Sequence, residues 1–65
     1  MERYTIKEWR GLRGLTAQKL AEMVGVSQRT VLNWQKNGGN VTISQAHKLA
    51  NAFGCKVEQI NFFAD

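Results

Sequence analysis

Three polar side chains in the middle of the chain, Gln28, Arg29 and Asn33, fall near one face of a predicted helix. Forked donors and acceptors of these types fit the edges of bases in the major groove of DNA. Arg29 could instead clamp a phosphate, and all three would also suit an ordinary solvated helix face. The residue types alone therefore leave base reading and a plain polar surface both open.

The chain contains few residues that could catalyse a reaction or bind a metal ion. It contains five acidic residues, one histidine (His47) and one cysteine (Cys55). No second ligand stands at zinc spacing from His47, and no nucleophile–base pair can be recognised. The Gly38-Gly39 pair lacks the lysine and hydroxyl of a phosphate-binding loop. We therefore expect no enzyme activity, no metal site and no cofactor, and Cys55 reads as a structural thiol.

The positive charge is concentrated in the first part of the chain. Residues 1–40 contain seven Lys/Arg and three Glu, which accounts for the whole net charge of +4, whereas the charges of residues 41–65 cancel. A small, one-sided basic domain fits a polyanionic partner. The alternative is that the charge only keeps the protein in solution.

Length and cysteine content limit the organisation of the chain. Its 65 residues fit a single domain, 1–65. A domain of this size buries only about 60% of its unfolded surface, so dimerisation would help its stability. One cysteine cannot form an internal disulfide, which suits the cytoplasm. No apolar run resembles a membrane span or a signal peptide.

Cap signals predict an all-α fold. Helices begin at serine or threonine and end at glycine. Starts and stops of this kind predict four helices, the third covering about Gln28 to Lys36, and the signals are Thr5, Thr16, Ser27, Thr42, Gly14, Gly25 and Gly54. A fifth short helix is expected from Cys55 to Phe63. The prediction is a compact five-helix bundle preceded by a short arm, residues 1–4.

Apolar residues at helical spacing predict the core. They are Ile6, Trp9, Leu20, Ala21, Val24, Val31, Leu32, Trp34, Ile43, Ala46, Leu49, Ala50, Phe53, Val57 and Ile60. Trp34 is expected in this core rather than on a stacking surface. Of Phe62 and Phe63, one is expected to close the core and the other to be exposed at a dimer contact.

The connection between the second and third helices is very short and contains Gly25, Val26 and Ser27. A step of three to four residues around a glycine is typical of a helix-turn-helix. Ala21 fits this pattern, because helices that cross steeply need a small residue near their contact. The short connection and the small residue at Ala21 therefore predict a helix-turn-helix at helices two and three.

The order of these motifs resembles the Cro/repressor-type (XRE-like) helix-turn-helix family, which includes lambdoid phage repressors, Cro proteins and many bacterial regulators. The resemblance covers about residues 5–63. It is carried by Arg10, Leu15-Thr16, Leu20-Ala21, Val24-Gly25-Val26-Ser27, Thr30-Val31, Trp34, Leu49-Ala50, Phe53-Gly54 and the segment from Val57 to Phe63. It implies a lambda-repressor-like DNA-binding domain whose third helix enters the major groove.

The resemblance also implies roles for individual residues. Gln28, Arg29 and Asn33 fall where the family reads bases. Phosphate contacts are implied for Gln18, Ser27, Thr30, Lys36, Asn37, Asn40 and Thr42. The implied partner is a double-stranded DNA operator, bound by a homodimer that forms at least on DNA, with recognition helices about 34 Å apart.

The chain departs from the family pattern at three places. Gln35 stands where many members have a glutamate that pairs with the arginine at the position of Arg10, so an Arg10–Gln35 contact would lack an ion pair. Ala17 replaces a common phosphate-binding glutamine, and Gln18 is expected to substitute for it. The loop at residues 38–41 lacks the usual basic residues, which predicts weak binding by a single copy.

Two other function classes remain open at this point. In an antitoxin-type interaction module, helices four and five with Phe62 and Phe63 would bind a protein partner while helix three still bound DNA. In an adaptor, the fold would bind protein alone, without affinity for a duplex. We expect a Cro-like or repressor-like transcriptional regulator.

Overall fold

The computed structural model describes residues 3–37 and 40–62. Four α-helices run over Ile6–Arg13 (α1), Ala17–Val24 (α2), Gln28–Lys36 (α3) and Ile43–Phe53 (α4), and a 3-10 turn covers Val57–Gln59. The described ranges hold no strand, and their extended pairing is an isolated parallel bridge between Tyr4 and Ile60. The all-α class is therefore confirmed. No helix in the described ranges is long and apolar enough to cross a membrane.

Each helix begins at a hydroxyl side chain that caps it. The cap oxygen accepts a hydrogen bond of 3.0–3.1 Å from the backbone N–H three residues later. Glu8 and Gln45 complete capping boxes by accepting from the backbone N–H of their own cap residues. The four caps are Thr5, Thr16, Ser27 and Thr42. All four predicted helix starts are confirmed, because each depends on residues only three apart.

Three helices end at glycines with left-handed backbone. Gly14, Gly25 and Gly54 have φ values of 65°, 84° and 71° and follow α1, α2 and α4. Glycine adopts this conformation without the steric penalty of a Cβ atom. The three predicted stops are therefore confirmed.

The predicted fifth helix from Cys55 to Phe63 is wrong, since the structure has the three-residue 3-10 turn Val57–Gln59 instead. After the turn the backbone is extended and pairs with the start of the chain. Tyr4 donates its N–H to the carbonyl of Gln59 (3.1 Å), and Asn61 donates to the carbonyl of Tyr4 (2.8 Å). These bonds hold the end of the expected N-terminal arm at Tyr4; residues 1–2 and Phe63 lie outside the described ranges.

Most of the predicted core is buried. The buried apolar residues are Ile6, Trp9, Ala17, Leu20, Ala21, Val24, Val31, Trp34, Ala46, Leu49, Ala50, Phe53 and Ile60. Two predictions fail: Leu32 is 40% exposed and Ile43 is 81% exposed. Leu32 lies on the side of α3 away from Val31 and Trp34. Ile43 is the first residue of α4, one turn before the helix meets the core at Ala46.

Two aromatic residues, Tyr4 and Phe53, pack around Trp9. Tyr4 meets the Trp9 ring edge-on at 5.2 Å between centroids, and Phe53 stacks on it at 5.9 Å. The indole N–H donates to the carbonyl of Gln59 (2.9 Å), and Arg13 lies over the ring at 5.1 Å. The polar edge of Trp9 is therefore satisfied although its ring is buried.

Arg13 also closes the end of α4. Its Nε donates a hydrogen bond of 2.6 Å to the carbonyl of Phe53, the last residue of that helix. The last carbonyls of an α-helix have no partner within the helix, and a basic side chain there is favourable. This contact joins α1 to α4.

Two buried polar atoms among the described residues have no hydrogen-bond partner: Nε of Arg10 in α1 and Oε1 of Gln35 in α3. A buried polar atom left unsatisfied costs about 1–3 kcal/mol. Gln35, where the chain departs from the family pattern, thus has an unsatisfied amide oxygen, and Arg10, which the resemblance pairs with this position, has an unsatisfied Nε.

We expect Gly11→Ala to stabilise the protein by about 1 kcal/mol, because Gly11 lies inside α1 and an added Cβ meets nothing within 4 Å. The melting temperature should rise by about 4–8 °C. Gly14→Ala is a matched control, since its Cβ would also meet nothing but its φ is 65°. Gly14→Ala should lower the melting temperature, and a gain at both sites would contradict this account of the glycines.

We expect Gln35→Glu to raise the free energy of unfolding by about 1 kcal/mol, because the family resemblance pairs a glutamate at this position with the arginine at Arg10, whose Nε has no hydrogen-bond partner. Denaturant unfolding of a double-mutant cycle with Arg10→Met measures this coupling. The gain should vanish in the Arg10→Met background. An equal gain in both backgrounds would show that Arg10 is not the partner.

Candidate nucleic-acid interface

The turn between α2 and α3 is fixed by backbone hydrogen bonds. Gly25 and Val26 both donate to the carbonyl of Ala21, at 2.8 and 3.0 Å. Val26 packs partly buried against the core, and Ser27 caps α3 in the next position. Ala21 is 3% exposed, so the small side chain predicted at the helix contact is confirmed as buried. The result is a three-residue step between two packed helices, which is helix-turn-helix geometry.

The inner face of α3 holds it in the core. Val31 is fully buried and Trp34 is 3% exposed. These residues are three apart and so lie on one side of the helix. Trp34 is thus a core residue, as predicted, and it leaves the opposite side of α3 turned to solvent.

The outer face of α3 is polar and basic. The sequence-predicted base readers Gln28, Arg29 and Asn33 are all exposed there. Lys36 and the incompletely buried Leu32 share this side, and α3 contains no acidic residue. We refer to Gln28, Arg29, Leu32, Asn33 and Lys36 together as the outer face of α3. It offers amide and guanidinium groups without a nearby carboxylate of the same helix to neutralise them.

Most residues expected at phosphates lie at helix ends. Gln18 follows the first residue of α2, and Lys36 is the last residue of α3. Ser27 and Thr42 are the caps of α3 and α4, and Asn37 ends α3. Free backbone N–H groups and the helix dipole favour an anion at a helix start. All five of these residues are exposed.

Two residues of the expected phosphate set differ from the others. Thr30 is only half exposed, and its hydroxyl lies 2.9 Å from that of Ser27. Asn40 is exposed in the loop before α4. The glycines 38–39 of that loop lie outside the described ranges. The hydroxyls of Ser27 and Thr30 therefore form a pair at the start of α3, where one can position the other.

Leu32 is the residue of the outer face that the sequence reasoning missed. From the sequence it is predicted to be an apolar anchor of α3 together with Val31 and Trp34. The available signal was its angle: at about 100° per residue, Leu32 falls beside Gln28 and Lys36 rather than beside Val31 and Trp34. Leu32 is 40% exposed, so its position around the helix decides its environment and its apolar character does not.

Other polar groups lie away from α3. A groove of about 530 Å³ between α4 and the 3-10 turn is lined by His47, Asn51, Cys55 and Lys56, among others. Burial raises the pKa of the Cys55 thiol, and the charge of Arg13 opposes this shift. Among the described residues no three His, Cys, Asp or Glu are placed to hold a metal ion. Cys55 is half buried, in agreement with the predicted structural thiol.

Comparison with known proteins places this geometry in a family. The sequence model of the helix-turn-helix family matches residues 6–60. An uncharacterized HTH-type transcriptional regulator of Archaeoglobus fulgidus is 33% identical over 63 residues, which are 97% of this chain and 90% of that protein. One from Methanocaldococcus jannaschii is 35% identical over 60 residues, 92% of this chain and 91% of that protein.

A second Archaeoglobus fulgidus protein with the same description is 36% identical over 61 residues, covering 94% of this chain and 86% of its own length. These relatives are archaeal, whereas the sequence resemblance was drawn to phage and bacterial regulators. The match extends from the start of α1 to Ile60, so it includes the turn, α3 and the segment after α4. The chain belongs to the Cro/repressor-type (XRE-like) helix-turn-helix family.

Proposed function

We propose that this protein is a DNA-binding transcriptional regulator that inserts α3 into the major groove of an operator. The observation that carries the proposal is the outer face of α3, which gathers Gln28, Arg29 and Asn33 opposite a buried Val31 and Trp34. A helix fits the width of the major groove, and these side chains match base edges. The family assignment supports the same function, as does the description of the archaeal relatives as transcriptional regulators.

In the proposed complex each outer-face amide or guanidinium has a defined partner. The Arg29 guanidinium donates two hydrogen bonds, one to O6 and one to N7 of a guanine. Gln28 and Asn33 form bidentate pairs with N6 and N7 of adenines. Arg29 and Gln28 occupy the first two positions of α3, and the N-terminal residues of a recognition helix are those that reach base edges.

The proposed phosphate contacts surround this base-reading face. They set the position and orientation of the protein on the duplex without carrying sequence information. They comprise Gln18, Ser27, Thr30, Lys36, Asn37, Asn40 and Thr42. Gln18, Ser27, Thr30 and Thr42 lie at helix starts, where backbone N–H groups contribute beside the side chains. The net charge of +4 supplies the attraction over longer distances.

The regulator is proposed to act as a homodimer on a palindromic operator. One short helix reads few base pairs, so one copy offers limited affinity and specificity. The longest dimension of the domain is 29 Å. Two copies placed side by side on the same face of DNA can therefore bring their α3 helices one helical turn apart, about 34 Å.

Selection of bound duplexes from a random pool tests this function directly. We expect recovered sequences with two inverted half-sites about 10 bp apart. Affinity for them should fall at least about tenfold between about 50 mM and about 200 mM salt, because each neutralised phosphate releases counterions. Failure to bind any duplex at low salt, or a flat salt response, would reject DNA binding. If single copies occupied single half-sites, only the proposed dimer would be rejected, and DNA binding would stand.

Arg29→Ala should abolish the preference at one base pair of each half-site, a discrimination of about 1–3 kcal/mol. Lys36→Ala should weaken all duplexes equally, because it is proposed to contact phosphate. Lys56→Ala removes the same charge beside the 3-10 turn, away from α3, and should leave both the affinity and the preference unchanged. Competition binding against single-base variants of the selected operator measures these effects. Uniform weakening by Arg29→Ala would reassign Arg29 to phosphate.

A further inference from the structure

Leu32 is the one apolar member of the outer face of α3, and 40% of its surface is exposed. At about 100° per residue, it lies about 40° around the helix from Gln28 and about 60° from Arg29. Its direction is therefore close to that of the two residues proposed to reach bases first. Any surface that receives Gln28 and Arg29 also receives Leu32.

The core does not explain the position of Leu32. Val31 and Trp34 already fill the inner face of α3, with exposed fractions of 0% and 3%. The remaining neighbours of Leu32 along the outer face are polar or basic. An apolar side chain at the centre of such a face gains free energy only if its partner also presents an apolar group.

The major groove presents one apolar group, the C5-methyl of thymine. Leucine has no donor or acceptor for any other feature of a base edge. Its branched end can cover a methyl group and remove both from water. This contact would add selection for a thymine at a position that Gln28, Arg29 and Asn33 do not specify by hydrogen bonds.

We infer that Leu32 is a specificity-determining residue that recognises a thymine methyl group beside the base pair contacted by Gln28. The inference rests on the proposed function, because it requires α3 in the major groove. It differs from that function in naming an apolar contact and a base that the hydrogen-bonding residues leave open.

The test uses the duplex recovered by selection and a series in which each thymine in turn is replaced by uracil. Uracil lacks the methyl group but keeps the same base pairing. We expect one replacement per half-site to weaken binding about three- to fivefold, the effect of removing one buried methyl. The same replacement should have no effect on Leu32→Ala, which no longer reaches the methyl.

Two further variants make this result specific. Leu32→Gln keeps the length of the side chain and high helix propensity, and it should also lose the response to uracil. Leu12→Ala removes an exposed leucine of α1 (55% exposed) and should keep the full response. Thermal unfolding confirms that each variant is folded before its binding is compared.

The outcomes separate the inference from the function on which it rests. Salt-dependent binding that no uracil replacement weakens would overturn the role of Leu32 and leave DNA binding intact. A uracil effect of equal size in the parent protein and both Leu32 variants would overturn it as well. Loss of all duplex binding by the parent protein would overturn the proposed function itself.

Discussion

The burial of Val31 and Trp34 is the constraint on which the use of α3 depends. A helix of nine residues is not stable alone in water, so α3 exists because these two side chains fix it to the rest of the core. Once they are buried, helical geometry determines what faces outward. Gln28, Arg29 and Asn33 are exposed as a consequence of that anchoring, and the short turn through Gly25 sets the direction in which they are presented.

A second set of contacts keeps this small core closed from the opposite side. Three contacts tie Tyr4 and α1 to the end of α4 and to the segment after it. They are the bridge between Tyr4 and Ile60, the hydrogen bond from the Trp9 indole to Gln59 and the hydrogen bond from Arg13 to Phe53. These contacts satisfy polar groups at the boundary of the core. A domain of 65 residues can leave only a few such groups without a hydrogen-bond partner. The outer face of α3 takes no part in them and remains available for a partner.

The chain departs from the family pattern at Gln35, and this departure is unfavourable for stability. The unsatisfied atoms belong to Arg10 in α1 and to Gln35 in the last turn of α3, the two positions at which many family members form an ion pair. Neither residue belongs to the outer face of α3. Helix anchoring and the proposed base contacts are thus assigned to different residues of the same nine.

The sequence by itself determined every helix start and most helix ends, because a cap joins residues three or four apart and a left-handed stop needs only a glycine. It also determined the exposure of Gln28, Arg29 and Asn33, through the period of α3. Only the tertiary structure decided the segment after α4, since its pairing with Tyr4 joins residues more than fifty positions apart. Tertiary packing likewise decided that Ile43, the first residue of α4, faces solvent, because apolar character at the start of a helix does not specify whether the core reaches that turn.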